Sequence, residues 1–484
     1  MITRRFIKSS IIYAVAGALP MASAVLLLPF YLSSLSAAQY GALALYLSIS
    51  IFVQIVVTYS FDASLYLHFH DYKNQPEKLS LFVSSSFTFI LLLGIAVSAV
   101  LMATGGMLFH YFSRDPQFAF YPYGLLAVLT GIFQSIFKVN NTFLQSRERP
   151  ELFLRSNLFL FFMVALFTIV GLKLWPGTLD APVGGRTVAF LISGSWVLYR
   201  IYREFGFHFN LHLLRTTFAY NTYQSIYQLQ LWVINYFDRF LMVMLVTLSD
   251  LGIYDFAVKC VLVLDFVIAG LFNSFFPKIL SRAAGQALNG STIEINRYYH
   301  GLTAMIMLLV SGTILVVPVA LHVLLALFVK KPGYEAAIDF VPYASLVFLL
   351  RGMRLYFGLP YNTMKESKPL PVIFAIVAVL KTALAWWWIR DYGIYGAIGA
   401  TLMAGGMEIV LLWYWMKDRF TYFFNPLKLI VGPLLLMLAV LVAEPLLHDS
   451  FSWQTHVGYA VLTFLLLAWL YRKEIVLLDL KKIL

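Results

Sequence analysis

Apolar stretches of roughly 20 residues, each bounded by charges, glycine or proline, recur from end to end of this chain of 484 residues. Fourteen can be marked out, at about 11–33, 41–62, 81–110, 120–143, 152–174, 184–201, 217–247, 251–276, 300–328, 338–360, 370–389, 393–416, 427–446 and 455–471. A segment of this length in hydrocarbon has no water to satisfy its N–H and C=O groups, so it must satisfy them internally, as a helix. Composition agrees: 61% of the residues are hydrophobic, 12% are charged and the mean hydropathy is +0.81, which excludes a soluble globular domain. The expected fold class is an all-α integral membrane protein with about 14 transmembrane helices. The softest limits are those of 184–201 and the division at 247–251.

The cationic residues set the orientation. With the N-terminus inside, alternate loops hold Arg4, Arg5, Lys8, Lys73, Lys78, Arg147, Arg149, Arg155, Arg200, Arg203, Arg215, Lys278, Arg282, Arg297, Lys365, Lys368, Lys417, Arg419, Lys428, Arg472, Lys473, Lys481 and Lys482. The opposite loops hold only Arg114, Lys173, Lys330, Lys331 and Arg390. Such an asymmetry in short loops predicts that both termini are cytoplasmic. It also accounts for most of the net charge of +12 as a girdle facing an anionic leaflet, with no nucleic-acid partner implied. Residues 1–8 before an apolar stretch resemble a signal peptide, but the stretch is long and lacks a cleavage site, so it reads as a retained first span. Cys260 is the one cysteine, which excludes intrachain disulfides and cysteine-based metal clusters.

The chain also repeats itself. Leu35 to Leu45, carrying Gly41, reappears as Val246 to Phe256, carrying Gly252, at a spacing of 211. Gly185 and Gly194 recur at the same spacing as Gly396 and Gly405. Between them, Asn141-Thr142 and Ser146-Arg147 match Asn362-Thr363 and Ser367-Lys368 at a spacing of 221, so the second copy has a longer link before this point and a shorter one after it. Two related lobes are expected, residues 1–205 and 206–420, followed by two appended helices in 421–484. Duplication in a membrane protein points to a central path flanked by lobes that rock, hence to transport.

Ionisable residues inside spans are expensive and mark candidate functional positions. Here they are Lys138, Arg186, Arg239, Lys259, Arg351, Arg354 and Lys381, against Asp62, Asp238, Asp255, Asp265 and Glu408. The surplus of cations suits a wet cavity for a diphosphate, with arginine giving bidentate donors and lysine a point charge. Lys259, Arg351, Arg354, Lys381 and Arg239 are the candidate diphosphate ligands. Asp255–Lys259, four apart on one helix, equally reads as a structural ion pair, and Arg239 beside Asp238 as a residue near a helix end. Arg351, Arg354 and Lys381 have no acid beside them in sequence and are expected to be uncompensated. Asp62, Asp255, Asp265 and Glu408 are candidates for coupling to a cation.

The centre of span seven, Tyr220 to Gln230, is polar and aromatic where a lipid-facing helix would be apolar. Tyr223, Gln224, Tyr227 and Gln228 are candidate sugar contacts, with a polar helix–helix seam as the alternative. Clusters such as Trp386-Trp387-Trp388 and Trp413-Tyr414-Trp415 lie near span ends and read as interfacial belts. Pro20, Pro29, Pro122, Pro318 and Pro360 are expected to kink or hinge their helices. His-Glu-x-x-His, P-loop, nucleophile-elbow and dinucleotide patterns are all absent from the sequence. His68 and His70 beside Asp71 read as a solvated loop. No catalytic residue, metal or cofactor is expected, and the chain is not expected to be an enzyme.

The basic N-terminal tail, Leu28-Pro29-Phe30-Tyr31-Leu32 closing span one and Gln39-Tyr40-Gly41 opening span two resemble the Wzx-type polysaccharide flippases of the MOP (MATE-like) superfamily. So do Asp238-Arg239, Gly252-Ile253-Tyr254-Asp255-Phe256-Ala257-Val258-Lys259 and Gly393-Ile394-Tyr395-Gly396 further on. The likeness covers nearly the whole chain. It implies fourteen helices, two six-helix lobes forming a V, and residence in a bacterial cytoplasmic (inner) membrane. It implies translocation of a polyprenyl-diphosphate-linked oligosaccharide by alternating access, with membrane lipids and polymerase or export machinery as partners. Tyr254 to Lys259 is also similar to the eighth helix of MurJ-type lipid II flippases, which implies that Lys259 is a diphosphate ligand. That family carries arginines in its first two helices, whereas 11–33 and 41–62 hold neither Lys nor Arg, so a surface or exopolysaccharide precursor is the expected cargo rather than a peptidoglycan one.

Three other readings compete. A cation-coupled multidrug exporter of the MATE branch would show an acidic cavity. An integral-membrane glycosyltransferase, ligase or polymerase would show a long outer loop bearing catalytic residues. A scaffold would not need intramembrane cations.

Overall fold

In a computed structural model the described residues run from 12 to 473, except 14–15, 18, 21–22, 113–114, 116, 266, 271, 273–287, 329–332, 365–367, 423 and 449–452. Among them the regular structure is helical, with no strand. Two compact units are present, Met1–Gly252 with Phe328–Gly333, and Ile253–Leu327 with Tyr334–Leu484. The first is built from α1 (Leu28–Ser34), α2 (Ala37–Thr58), α3 (Phe61–Tyr72), α4 (Pro76–Phe112), α5 (Leu125–Ser146), α6 (Pro150–Leu174), α7 (Gly185–Phe205), α8 (Leu211–Leu245) and the first turn of α9 (Leu248–Val261). The second holds the rest of α9, nearly all of α10 (Leu288–Phe328), then α11 (Ala337–Ser345), α12 (Val347–Phe357), α13 (Leu359–Thr363), α14 (Leu370–Met416), α15 (Gly432–His448) and α16 (Trp453–Leu470).

Five described stretches are long and apolar enough to cross a bilayer: Ala37–Tyr72, Pro76–Phe112, Phe120–Ser146, Pro150–Leu174 and Leu370–Met416. Shorter apolar helices occur at Ser23–Ser34, Tyr299–Ile314, Leu427–Val442 and Val461–Leu470. The soft limits in the sequence resolve simply. The span at 184–201 is helical as α7, and the chain breaks between α8 and α9 at residues 246–247.

Both copies of the first repeated motif start a helix in the same way. Ser36 accepts from the Gln39 backbone N–H through its Oγ (3.2 Å), while the Ser36 N–H donates to Gln39 Oε1 (2.9 Å). In the second copy Thr247 Oγ1 accepts from the Asp250 N–H (3.1 Å), and the Thr247 N–H donates to Asp250 Oδ2 (3.1 Å). These are two capping boxes 211 residues apart, each satisfying two donors that a helix start leaves orphaned.

The glycines of the motif then meet. A Cβ on Gly41 would overlap the carbonyl oxygen of Leu248 and stand 3.0 Å from the Gly252 nitrogen. A Cβ on Gly252 would overlap the carbonyl oxygen of Ala37 and stand 3.1 Å from the Gly41 nitrogen. Each glycine faces the carbonyl four residues before the other, which is the reciprocity of a two-fold contact. The second repeated glycine behaves alike. Gly185 packs on the backbone of Phe167, and Gly396 on that of Trp388, where any side chain would overlap the carbonyl. Phe167 and Trp388 are 221 apart, the spacing that holds in the sequence before the shortened link.

Two expectations need correcting. The first concerns the single span at 41–62. Its helix is interrupted at Tyr59 (φ 43°) and Ser60 (φ 52°), both left-handed and neither of them glycine, and it resumes as α3 to Tyr72. Such conformations are unfavourable for side-chain-bearing residues and persist where surroundings hold them. Here Tyr59 bonds Thr222, Ser60 bonds Ser225 (3.0 Å) and Ser64 donates to Asn221, all on α8. The second concerns Pro122, which lies in the turn Phe120–Gly124 before α5 and starts a helix, where the missing N–H is not needed, rather than bending one in mid-course. Pro29 and Pro360 behave as expected: they stand two residues after Leu27 and Gly358, single right-handed residues at which the apolar helix Ser23–Ser34 is interrupted and α12 is divided from α13. By contrast Gly393 adopts φ 55° within Leu370–Met416, dividing spans eleven and twelve where the sequence does.

Candidate functional site

The intramembrane charges fall into pairs. Lys138 Nζ of α5 lies 3.1 Å from Asp62 Oδ2 of α3, and Arg239 Nη1 lies 3.2 Å from Asp238 Oδ1. Lys259 Nζ reaches Asp255 Oδ2 at 2.6 Å, one turn apart on α9. Arg351 pairs with Asp265, and Arg354 Nε lies 2.7 Å from Glu408 Oε1 of α14. Every one of the five acids expected inside spans therefore has a cation. Arg351 and Arg354 are not uncompensated: their partners come from 86 residues upstream and 54 downstream, distances over which sequence adjacency gives no signal. Packing supplies the counter-ions because a lone charge in this environment would be far more costly.

The pairs on α12 are lopsided. The Arg351 and Arg354 side chains are 40% and 43% exposed, while Asp265 and Glu408 are 13% and 6% exposed. A buried carboxylate thus lies against each guanidinium, while much of the arginine side chain stays exposed. Arg354 is also stacked over Phe374, 5.4 Å from its ring centre. Three positions apart on one helix, the two arginines offer neighbouring forks suited to a multivalent oxyanion. Lys259 is more enclosed, and Lys381 is buried within α14.

Arg239 belongs to the first unit and those four cations to the second. Besides Asp238 it donates to the Asn235 carbonyl (2.7 Å) and lies over Tyr236. This is a locally satisfied residue. Arg186, on α7, stacks over Phe190 at 5.2 Å, and no described carboxylate lies within ion-pair distance.

The polar centre of span seven separates into two faces of α8. Asn221, Ser225, Gln228 and Trp232, spaced by four, three and four, pack against α2 and α3. There Gln228 Nε2 donates to Ser60 Oγ (3.3 Å), and Trp232 Nε1 donates to the Ser48 carbonyl (3.0 Å). Gln228 Oε1 also accepts from Lys138 Nζ at 2.8 Å. Gln228 is thus part of a helix–helix seam rather than a free sugar contact. Tyr223, Gln224 and Tyr227 lie on the other face, where Gln224 Nε2 donates to Tyr220 OH (3.3 Å) and Tyr223 is exposed. Lys138 and Ser60 were not among the candidate ligands. Their signal was the polar run Thr58 to Ser64 in an otherwise apolar span.

The geometry has clear relatives. A lipid II flippase MurJ in an inward closed conformation aligns with 97% of this chain and 100% of its own, at a TM-score of 0.69 and 16% identity. An inward-facing multidrug resistance MATE family transporter of the MOP superfamily aligns with 84% of this chain and 94% of its own, at a TM-score of 0.61 and 13% identity. A eukaryotic MATE transporter aligns with 86% and 97%, at 0.51 and 13%. No curated protein matches in sequence. The fold is that of the MOP-superfamily membrane transporters. The chain belongs to the polysaccharide biosynthesis protein family, whose model matches residues 6–284, more than half of its length.

Proposed function

We propose that this protein is a flippase that carries a polyprenyl-diphosphate-linked oligosaccharide from the cytoplasmic to the outer leaflet of the bacterial inner membrane. Fourteen spans in two duplicated lobes (1–205 and 206–420) and two added helices would rock between inward-open and outward-open states. The observation that carries this reading is the pair of half-open guanidiniums, Arg351 and Arg354, each backed by a buried carboxylate, in a chain of this family. They hold the diphosphate, with Lys259 and Lys381 contributing positive charge on the neighbouring helices. Tyr223, Gln224 and Tyr227 contact the sugars, and the lipid tail stays in the bilayer. Polysaccharide polymerase or export machinery would receive the product. The capping boxes and glycine contacts repeated at one spacing support the duplication on which alternating access depends. The exposed cations favour an anionic cargo over a cationic drug.

The test is polymer export in cells lacking the chromosomal copy. Arg351→Ala with Arg354→Ala, at unchanged membrane level, is expected to cut surface glycan at least tenfold. Wild-type export from that double variant would remove the diphosphate site from α12.

A further inference from the structure

The Lys138–Asp62 pair sits at the interruption between α2 and α3 and is built unlike the other four. Its ammonium is shared: Asp62 Oδ2 lies at 3.1 Å and Gln228 Oε1 at 2.8 Å. Gln228 is fixed by Ser60, which is bonded in turn to Ser225. The lysine side chain is 31% exposed and its ammonium has two described partners, one fewer than its three N–H groups, whereas Asp62 is 12% exposed. Asp62 Oδ1 is buried and makes no hydrogen bond with a described residue, and neither does the Thr58 hydroxyl one turn before the break. The carboxylate is therefore compensated by one cation that is itself reachable.

The geometry points to an exchange. We infer that Lys138 is a further ligand for the cargo's diphosphate, and that Asp62 holds its ammonium until the anion arrives. This rests on the flippase reading above. When the oxyanion draws the ammonium away, Gln228 keeps it in register. Asp62 is then a buried carboxylate with one oxygen unpartnered and its cation withdrawn, a costly state that a proton from water relieves. The proton adds to a carboxylate oxygen, giving the neutral acid. Anion binding at Lys138 and proton binding at Asp62 consequently favour each other, and by linkage each must strengthen the other equally.

Among the described residues, Lys138 is the one cation within ion-pair distance of Asp62. From α5 only Lys138 is near. On α4, Phe89 marks the level of the break by its contact with Phe61, and Glu77 and Lys78 lie at least 11 residues before it, about 16 Å along the helix. On α8, Gln228 marks the level, with Arg215 about 20 Å and Asp238 about 15 Å away along the axis. α2 carries no charge.

The experiment measures binding of farnesyl diphosphate to the full-length protein in detergent from pH 8 to pH 5, for wild type, Asp62→Asn, Lys138→Met and Lys138→Arg. Asp62→Asn is expected to bind about five- to tenfold more tightly than wild type at pH 8, with the difference closing as pH falls. Comparison at each pH cancels titration of the probe itself. Lys138→Met should bind at least fivefold more weakly, and Lys138→Arg should retain most of the affinity. Equal or weaker binding by Asp62→Asn at pH 8 overturns the exchange, and so does wild-type binding by Lys138→Met. If wild type and all three variants fail to bind while monodisperse, the diphosphate reading itself falls and the exchange with it.

Discussion

Gly41 and Gly252 lie backbone against backbone, each filling the place where a side chain on the other would collide with a carbonyl. The two residues are 211 apart in sequence and occupy corresponding points of a repeated motif. Both helices begin with a capping box, so the glycines are presented at the same height above their helix starts. Close approach of this kind needs residues without a Cβ, and it lets dispersion and Cα–H···O contacts act where apolar burial gives no drive between helices.

Gly41→Ala and Gly252→Ala should each be destabilising, because the obstructing atoms are backbone and cannot turn aside. Overpacking of this sort costs about 1–3 kcal/mol, and more where nothing can move. A thermal-shift measurement in detergent should show each variant melting several degrees lower. The double variant should lose less than the sum, since the helix separation forced by one methyl also accommodates the other. An unchanged melting temperature for either single variant would contradict the contact.

The Arg354–Glu408 pair predicts an asymmetry. Removing the half-exposed arginine leaves a buried carboxylate without its cation, whereas removing the acid leaves an arginine that is already half-exposed. Arg354→Ala should therefore lower stability more than Glu408→Gln, by about 1–2 kcal/mol. Adding Glu408→Gln to Arg354→Ala should restore part of the loss. If the two singles melt alike and the double is additive, Glu408 is not held by this arginine.

Much of the fold was legible because hydrophobic length and helix caps are local properties. The spans around α4, α5, α6 and α7 were marked within a few residues, and the repeated motifs picked out the glycines at which the close contacts form, though not the contacts themselves. The charges were read less well. Asp255–Lys259 could be paired from a four-residue spacing on one helix. Asp265–Arg351 and Glu408–Arg354 could not, because their proximity is a product of helix packing. The break at Tyr59–Ser60 was missed for the same reason: the residues that hold it, Ser225 and Asn221, lie about 160 residues downstream. Gln228 read as a sugar contact because a polar stripe facing protein and one facing a wet cavity have the same composition.

The charge asymmetry of the loops predicts which positions each side of the membrane can reach. Single cysteines at Ser36 and Asp250 should react with an impermeant maleimide in whole cells, after Cys260→Ser removes the native thiol. Cysteines at Gln75 and Arg203 should react only in inverted vesicles. The reverse pattern at any position would move that loop to the other side.

The most direct test of the central claim is translocation itself. Purified protein would be reconstituted into vesicles with a short-chain polyprenyl diphosphate bearing a lectin-binding oligosaccharide, loaded in the inner leaflet. The account predicts that lectin-accessible sugar rises many-fold faster than in protein-free vesicles, and that Arg351→Ala with Arg354→Ala abolishes the rise. A rate equal to that of protein-free vesicles, from folded and correctly inserted protein, would contradict it.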